Sequence, residues 1–213
     1  MIPLRDVIPT RIRPIATVTL AAAQAVITLA AWSFPALGST SAARMDMTPL
    51  TWSWLGIAGA KVIQSSGPIL VANVVGLWLF GGTVEDRLGH RRFVALWLAS
   101  GMVAALGQTA ATPESVASLL GASGALAGIV GTHLLLYPRS RMLLATPIVI
   151  GIELIDVPTW VIAGVWTSVQ LVGSLSTPFR GLAAALGSGL LVGTAAGFLL
   201  RRPERLRVEW WGP

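Results

Sequence analysis

A glycine-framed serine, Gly121-Ala122-Ser123-Gly124-Ala125, stands at the mouth of an apolar run. Flanking glycines let a backbone turn tightly and approach a substrate closely. A serine at a helix N-terminus also meets free amide groups and the positive end of the dipole, which stabilise a developing oxyanion. Nucleophilic attack further requires a base that takes the hydroxyl proton. The chain has two imidazoles, His90 and His133. His133 lies ten residues after Ser123, about 15 Å along a shared helix and on another face, whereas proton transfer needs roughly 3 Å or one bridging water. His90 belongs to the charged Glu85–Arg92 turn, expected on the other side of the membrane, where Glu153 and Asp156 are also expected. Lys61, the only lysine, precedes the second apolar run, and a Ser–Lys dyad is a chemical possibility. Taken in isolation, Ser123 reads first as a small packing residue among glycines.

The elements that must position this serine are membrane helices. Of the 213 residues, 54% are hydrophobic and 11% charged, with a mean hydropathy of +0.74; soluble domains carry about 25% charged residues. The absence of cysteine excludes disulfides, thiolate catalysis and cysteine–zinc sites. Two distant histidines argue against a metal site, and nothing calls for a cofactor. The net charge of +6 comes from arginines spread over several loops, which excludes a nucleic-acid patch and reports membrane topology instead.

Six apolar segments are long enough for spans of about 20 residues: Pro14–Phe34, Pro68–Val84, Phe93–Ala111, Leu119–Tyr137, Pro158–Leu175 and Gly181–Leu200. The first exceeds the ~7–15 residues of a signal-peptide core and reads as a retained span. With the N-terminus inside, twelve of the fifteen basic residues fall in the cytoplasm, leaving Arg44, Lys61 and Arg180 outside. The expectation is therefore an all-α, single-domain protein: residues 1–13 cytoplasmic, 14–200 a six-span bundle, 201–213 a cytoplasmic tail. The long loop Pro35–Gly67 is external in this topology, and its Trp52 and Trp54 suit the lipid–water boundary. The apolar stretch Met142–Val157 holds Glu153 and Asp156, whose place before Pro158 suits a helix start. Neither internal repeat nor half-to-half symmetry supports a transporter.

Several short motifs, in order, resemble the rhomboid family over most of the chain. They are Ile2-Pro3-Leu4-Arg5-Asp6 with Pro9-Thr10-Arg11, then Asn73, Leu77-Trp78, Phe80-Gly81, Val84-Glu85-Asp86 and Leu88-Gly89-His90. Gly121–Ala125 with Gly128 and Gly131, Gln170, and the small residues Gly181, Ala185, Gly189 and Gly193 complete the set. The resemblance implies a six-helix intramembrane serine protease fold, with Ser123 at the nucleophile position, Asn73 as an oxyanion donor, and Gly121 and Gly124 framing the turn. Gly189, Gly193 and Gly197 form a small-residue stripe suited to holding the sixth span against the fourth.

Active rhomboids carry a histidine on the last span. Its position here is Leu186, or Gly187 in a second register; a companion histidine position is Ile69, and Ala127 replaces an aromatic ring common beneath the imidazole. The expected function is that of a pseudoprotease of the bacterial inner membrane that binds transmembrane client helices without cleaving them. The alternative is an active intramembrane serine endopeptidase using Ser123 with a non-standard base.

Overall fold

The computed structural model describes residues 2–6, 11–34, 64, 66–113, 121–148, 151–173 and 179–200. The expectations for Trp52, Trp54 and Lys61 lie outside these residues. Among the described residues the chain is mostly helical. Helices α1 (Ile15–Ser33), α2 (Gly67–Leu88), α3 (His90–Ala111), α4 (Gly121–Leu136), α5 (Thr159–Gly173) and α6 (Phe179–Leu200) occupy the six apolar segments. Four of them, α1, α2, α3 and α6, are long and apolar enough to cross a membrane; α4 and α5 are shorter apolar helices. Within α2, Leu77–Gly81 winds as a π-helix.

Helix α4 is the centre of the bundle. Every residue from Ala122 to His133 is buried, as expected of a helix that is apolar on all sides. It packs chiefly on α3 and α6, and glycine makes the contact possible. A Cβ on Gly189 would enter the Gly124 carbonyl, one on Gly193 the Gly128 carbonyl, and one on Gly197 would meet Thr132 Cγ2 at 2.6 Å. The stripe therefore does hold α6 against α4, backbone on backbone. Thr132 Oγ1 seals the contact by donating to the Gly193 carbonyl at 2.6 Å. Without a hydrophobic force between helices in lipid, close backbone approach and interhelical hydrogen bonds supply the attraction.

Helix α1 is built inside out. Its buried residues are Thr17, Gln24 and Thr28, while Ile15, Val18, Val26, Ile27, Leu29 and Trp32 are exposed. A polar stripe turned inward and an apolar surface turned outward suit a lipid-facing helix. Glu85, fully buried on α2, caps its N-terminus: the carboxylate accepts the Ala16 N–H at 2.9 Å, the Thr17 N–H at 2.7 Å and the Thr17 hydroxyl at 2.7 Å. Asp86 accepts the Arg11 and Ile12 amides, both at 2.8 Å. Glu85 thereby satisfies donors that the first helical turn leaves unpaired, and Asp86 holds the segment leading into it.

The all-α expectation is corrected by a small sheet of order β1-β2-β3, formed by β1 (Ile2–Asp6), β2 (Arg141–Ile148) and β3 (Gly151–Pro158), with both pairs antiparallel. Asp156 accordingly lies on β3 opposite Leu143, and α5 begins just beyond it at Thr159, next to the expected start at Pro158. The stretch 142–157 is apolar almost throughout, so it shows no alternation that would announce half-buried strands. Backbone pairing with the N-terminal segment, 140 residues away in the chain, gives it its form.

Candidate functional site

Ser123 is the third residue of α4 and 1% exposed. Two carboxamides meet its hydroxyl. Asn73 of α2 donates from Nδ2 to Ser123 Oγ at 3.1 Å, and Ser123 Oγ donates to Gln170 Oε1 of α5 at 2.9 Å. Gln170 Nε2 in turn donates to Asn73 Oδ1 at 2.7 Å. The three side chains thus close a ring in which each donates once and accepts once. Asn73 Nδ2 also donates to Gln64 Oε1 at 2.9 Å, and the Gln64 amide donates to Thr28 Oγ1 of α1 at 3.2 Å. Four helices meet in one uncharged polar cluster, buried throughout.

Local packing places each member. One turn beyond Asn73, a Cβ on Gly76 would strike Leu126 of α4 at 2.6 Å and Trp166 of α5 at 3.3 Å. This close crossing of α2 with α4 and α5 brings Asn73, Ser123 and Gln170 together. Behind Ser123, Gly124 faces Ala104 of α3 and the Ala185 carbonyl of α6. Gly121 begins the helix, so the amides of the first turn, Ser123's included, have no partner within the helix.

Among the described residues, both histidines are engaged elsewhere. His133 Nε2 faces Ser140 Oγ at 3.2 Å, Phe80 meets the imidazole edge-on with centroids 5.3 Å apart, and Tyr137 flanks it at 5.5 Å. His90, half-exposed at the start of α3, pairs through Nδ1 with Glu85 Oε1. Asp156 is exposed on β3. Among the described residues, the polar contacts of Ser123 are to the Asn73 and Gln170 side-chain amides.

The sequence model of the rhomboid domain matches residues 51–203. The chain belongs to the rhomboid family. No curated protein matches it. As a rhomboid with these apolar helices, it is an integral membrane protein, and the lipid bilayer is its environment.

Within this rhomboid, the structure brings together two of the residues singled out by chemistry, Ser123 and Asn73, and keeps both histidines in other contacts. Leu186 is a buried core residue, whereas Gly187 is exposed and a Cβ there would meet nothing within 4 Å. Gln170 matched the family pattern, but its bond to the serine was not foreseen. Gln64 and Thr28 were missed altogether. For Thr28 the available signal was chemical, since a polar side chain in an apolar span is favoured where it meets a hydrogen-bonding partner; Gln64, in the loop, carried no such signal.

Proposed function

We propose that this rhomboid is a pseudoprotease: a membrane protein that binds transmembrane helices of client proteins without cutting them. The observation that carries the reading is the bond from the Ser123 hydroxyl to the Gln170 carboxamide. A neutral amide oxygen accepts a hydrogen bond but does not take up the proton at neutral pH, so this contact holds the serine without activating it. The family's base position falls at Leu186, a register supported by the burial of Leu186 and the outward aspect of Gly187. In soluble serine proteases, loss of the histidine costs on the order of 10⁶ in turnover. That magnitude outweighs what the surviving helix N-terminus and Asn73 contribute as oxyanion donors.

On this reading residues 1–213 form one domain with six spans and both termini in the cytoplasm, in the plasma membrane of a bacterium. Ser123, Asn73, Gly121 and Gly124 are inherited positions of a protease site. The chain works by lateral docking of a client helix, with neither cofactor nor metal.

The deciding experiment exposes the detergent-purified protein to a fluorophosphonate probe and to model transmembrane substrates, beside an active rhomboid. Neither labelling of Ser123 nor cleavage is expected. Introducing the base as Leu186→His is the constructive arm: weak Ser123-dependent labelling is the expected gain, since oxyanion donors act independently of the base. Ser123-dependent cleavage by the unaltered chain would overturn the reading in favour of an active endopeptidase with another base.

A further inference from the structure

Arg87, in the last turn of α2, is only 7% exposed, and among the described residues it forms no ion pair. The Nε atom is buried and unpartnered. A buried donor nitrogen without an acceptor is costly, and a ligand that reaches it from the surface removes that cost. The acids beside it in sequence are already committed: Glu85 to the first amides of α1 and to His90, Asp86 to the Arg11 and Ile12 amides. They cap a helix and its lead-in, and among the described residues neither pairs with Arg87.

The surroundings add positive charge instead of removing it. After Gly89, whose φ of 82° breaks the helix, α3 opens with His90, Arg91 and Arg92, and its first turn contains no acid. Cations at a helix N-terminus oppose the dipole, whereas an anion there is favoured by it. Arg91 and Arg92 are exposed, as is Arg11, whose backbone is tied to the same turn through Asp86. A buried unpaired arginine, an N-terminus of wrong-signed charge and an exposed basic rim within a few residues all ask for one thing: a tetrahedral or planar oxyanion.

We propose that the turn between α2 and α3 binds the phosphate of an anionic phospholipid headgroup, with Arg87 as the anchor and Arg91 at the rim. The turn joins two apolar helices long enough to cross a membrane, so it meets the lipid–water boundary, where headgroup phosphates are held at high local density. Basic pockets between membrane helices bind anionic headgroups by this combination of charge and donors. Arginine suits the task because its planar fork matches phosphate oxygens.

The test uses the full chain in dodecyl maltoside. Thermal unfolding is followed while phosphatidylglycerol, phosphatidylcholine or inorganic phosphate is titrated in, and native mass spectrometry counts retained lipids. Phosphatidylglycerol is expected to raise the midpoint and to be retained at least about tenfold better than phosphatidylcholine. Arg87→Met should abolish that preference, and Arg91→Gln should weaken it, which keeps the test valid if Arg87→Met does not fold. Arg139→Gln, which removes the same charge from a different turn, should leave the preference in place. Equal effects of the two lipids, or equal losses from Arg87→Met and Arg139→Gln, overturn the site. An equal response to inorganic phosphate overturns its assignment to lipid.

Discussion

Gly193→Ala adds one methyl group where α6 lies on α4, and the structure sets the size of the effect. The new Cβ would overlap the Gly128 carbonyl, Cα and carbon at once. None of these can rotate away, because all are helix backbone, so the two helices must separate by about 1 Å to restore ordinary contact. Overpacking of a filled core costs about 1–3 kcal/mol. A gap of ~0.5–1 Å also forfeits a quarter to a half of each dispersion contact along the seam, and the Thr132–Gly193 hydrogen bond lengthens. The expected destabilisation is therefore about 2–4 kcal/mol, or a midpoint lowered by roughly 5–15 °C for a chain of this size. Gly187→Ala on the same helix is the internal control. Its Cβ meets nothing within 4 Å, and alanine is the better helix former by about 1 kcal/mol, so the sign should reverse to a small gain. Thermal unfolding in detergent, followed by circular dichroism, measures both. A Gly193→Ala midpoint within a degree of the parent, or a Gly187→Ala loss of equal size, would refute the close α4–α6 contact.

Three further outcomes are expected. Ser123→Ala opens the Asn73–Ser123–Gln170 ring and strips Gln170 Oε1 of its donor. It should cost about 0.5–2 kcal/mol in the same unfolding assay, given the modest worth of hydrogen bonds within membranes, and less than Gly193→Ala. Glu85→Gln keeps an acceptor but loses the charge that caps α1. A loss of about 1–2 kcal/mol is expected, together with faster hydrogen exchange at the Ala16 and Thr17 amides; unchanged exchange there would remove the cap from the account. Reporter fusions should place the C-terminus inside and the Pro35–Gly67 loop outside, and an external C-terminus would sink the six-span topology.

Hydropathy and local spacing determined much of this protein before any contact was known. Six apolar segments became six helices with ends displaced by only a few residues, because helix formation in lipid depends on a run of residues that need no water and satisfy their own backbone. The glycines of α4 and α6 were legible for a similar reason: only closely approaching helices use small residues at four-residue intervals. Ser123 was legible from its flanking glycines. The hydrogen bonds that define its chemistry were not. Its partners Asn73 and Gln170 lie 50 and 47 residues away in the chain, and whether they face it depends on how three helices are rotated against one another. That rotation follows from packing at Gly76, where α2 crosses α4 and α5. The same dependence governs Leu186 and Gly187: adjacent residues on a helix point about 100° apart, and only the packing of α6 shows that Leu186 is buried and Gly187 exposed. The sheet and the Glu85 cap were decided at that level too, since each joins backbone amides to groups far off in sequence whose local patterns carry no mark of the pairing.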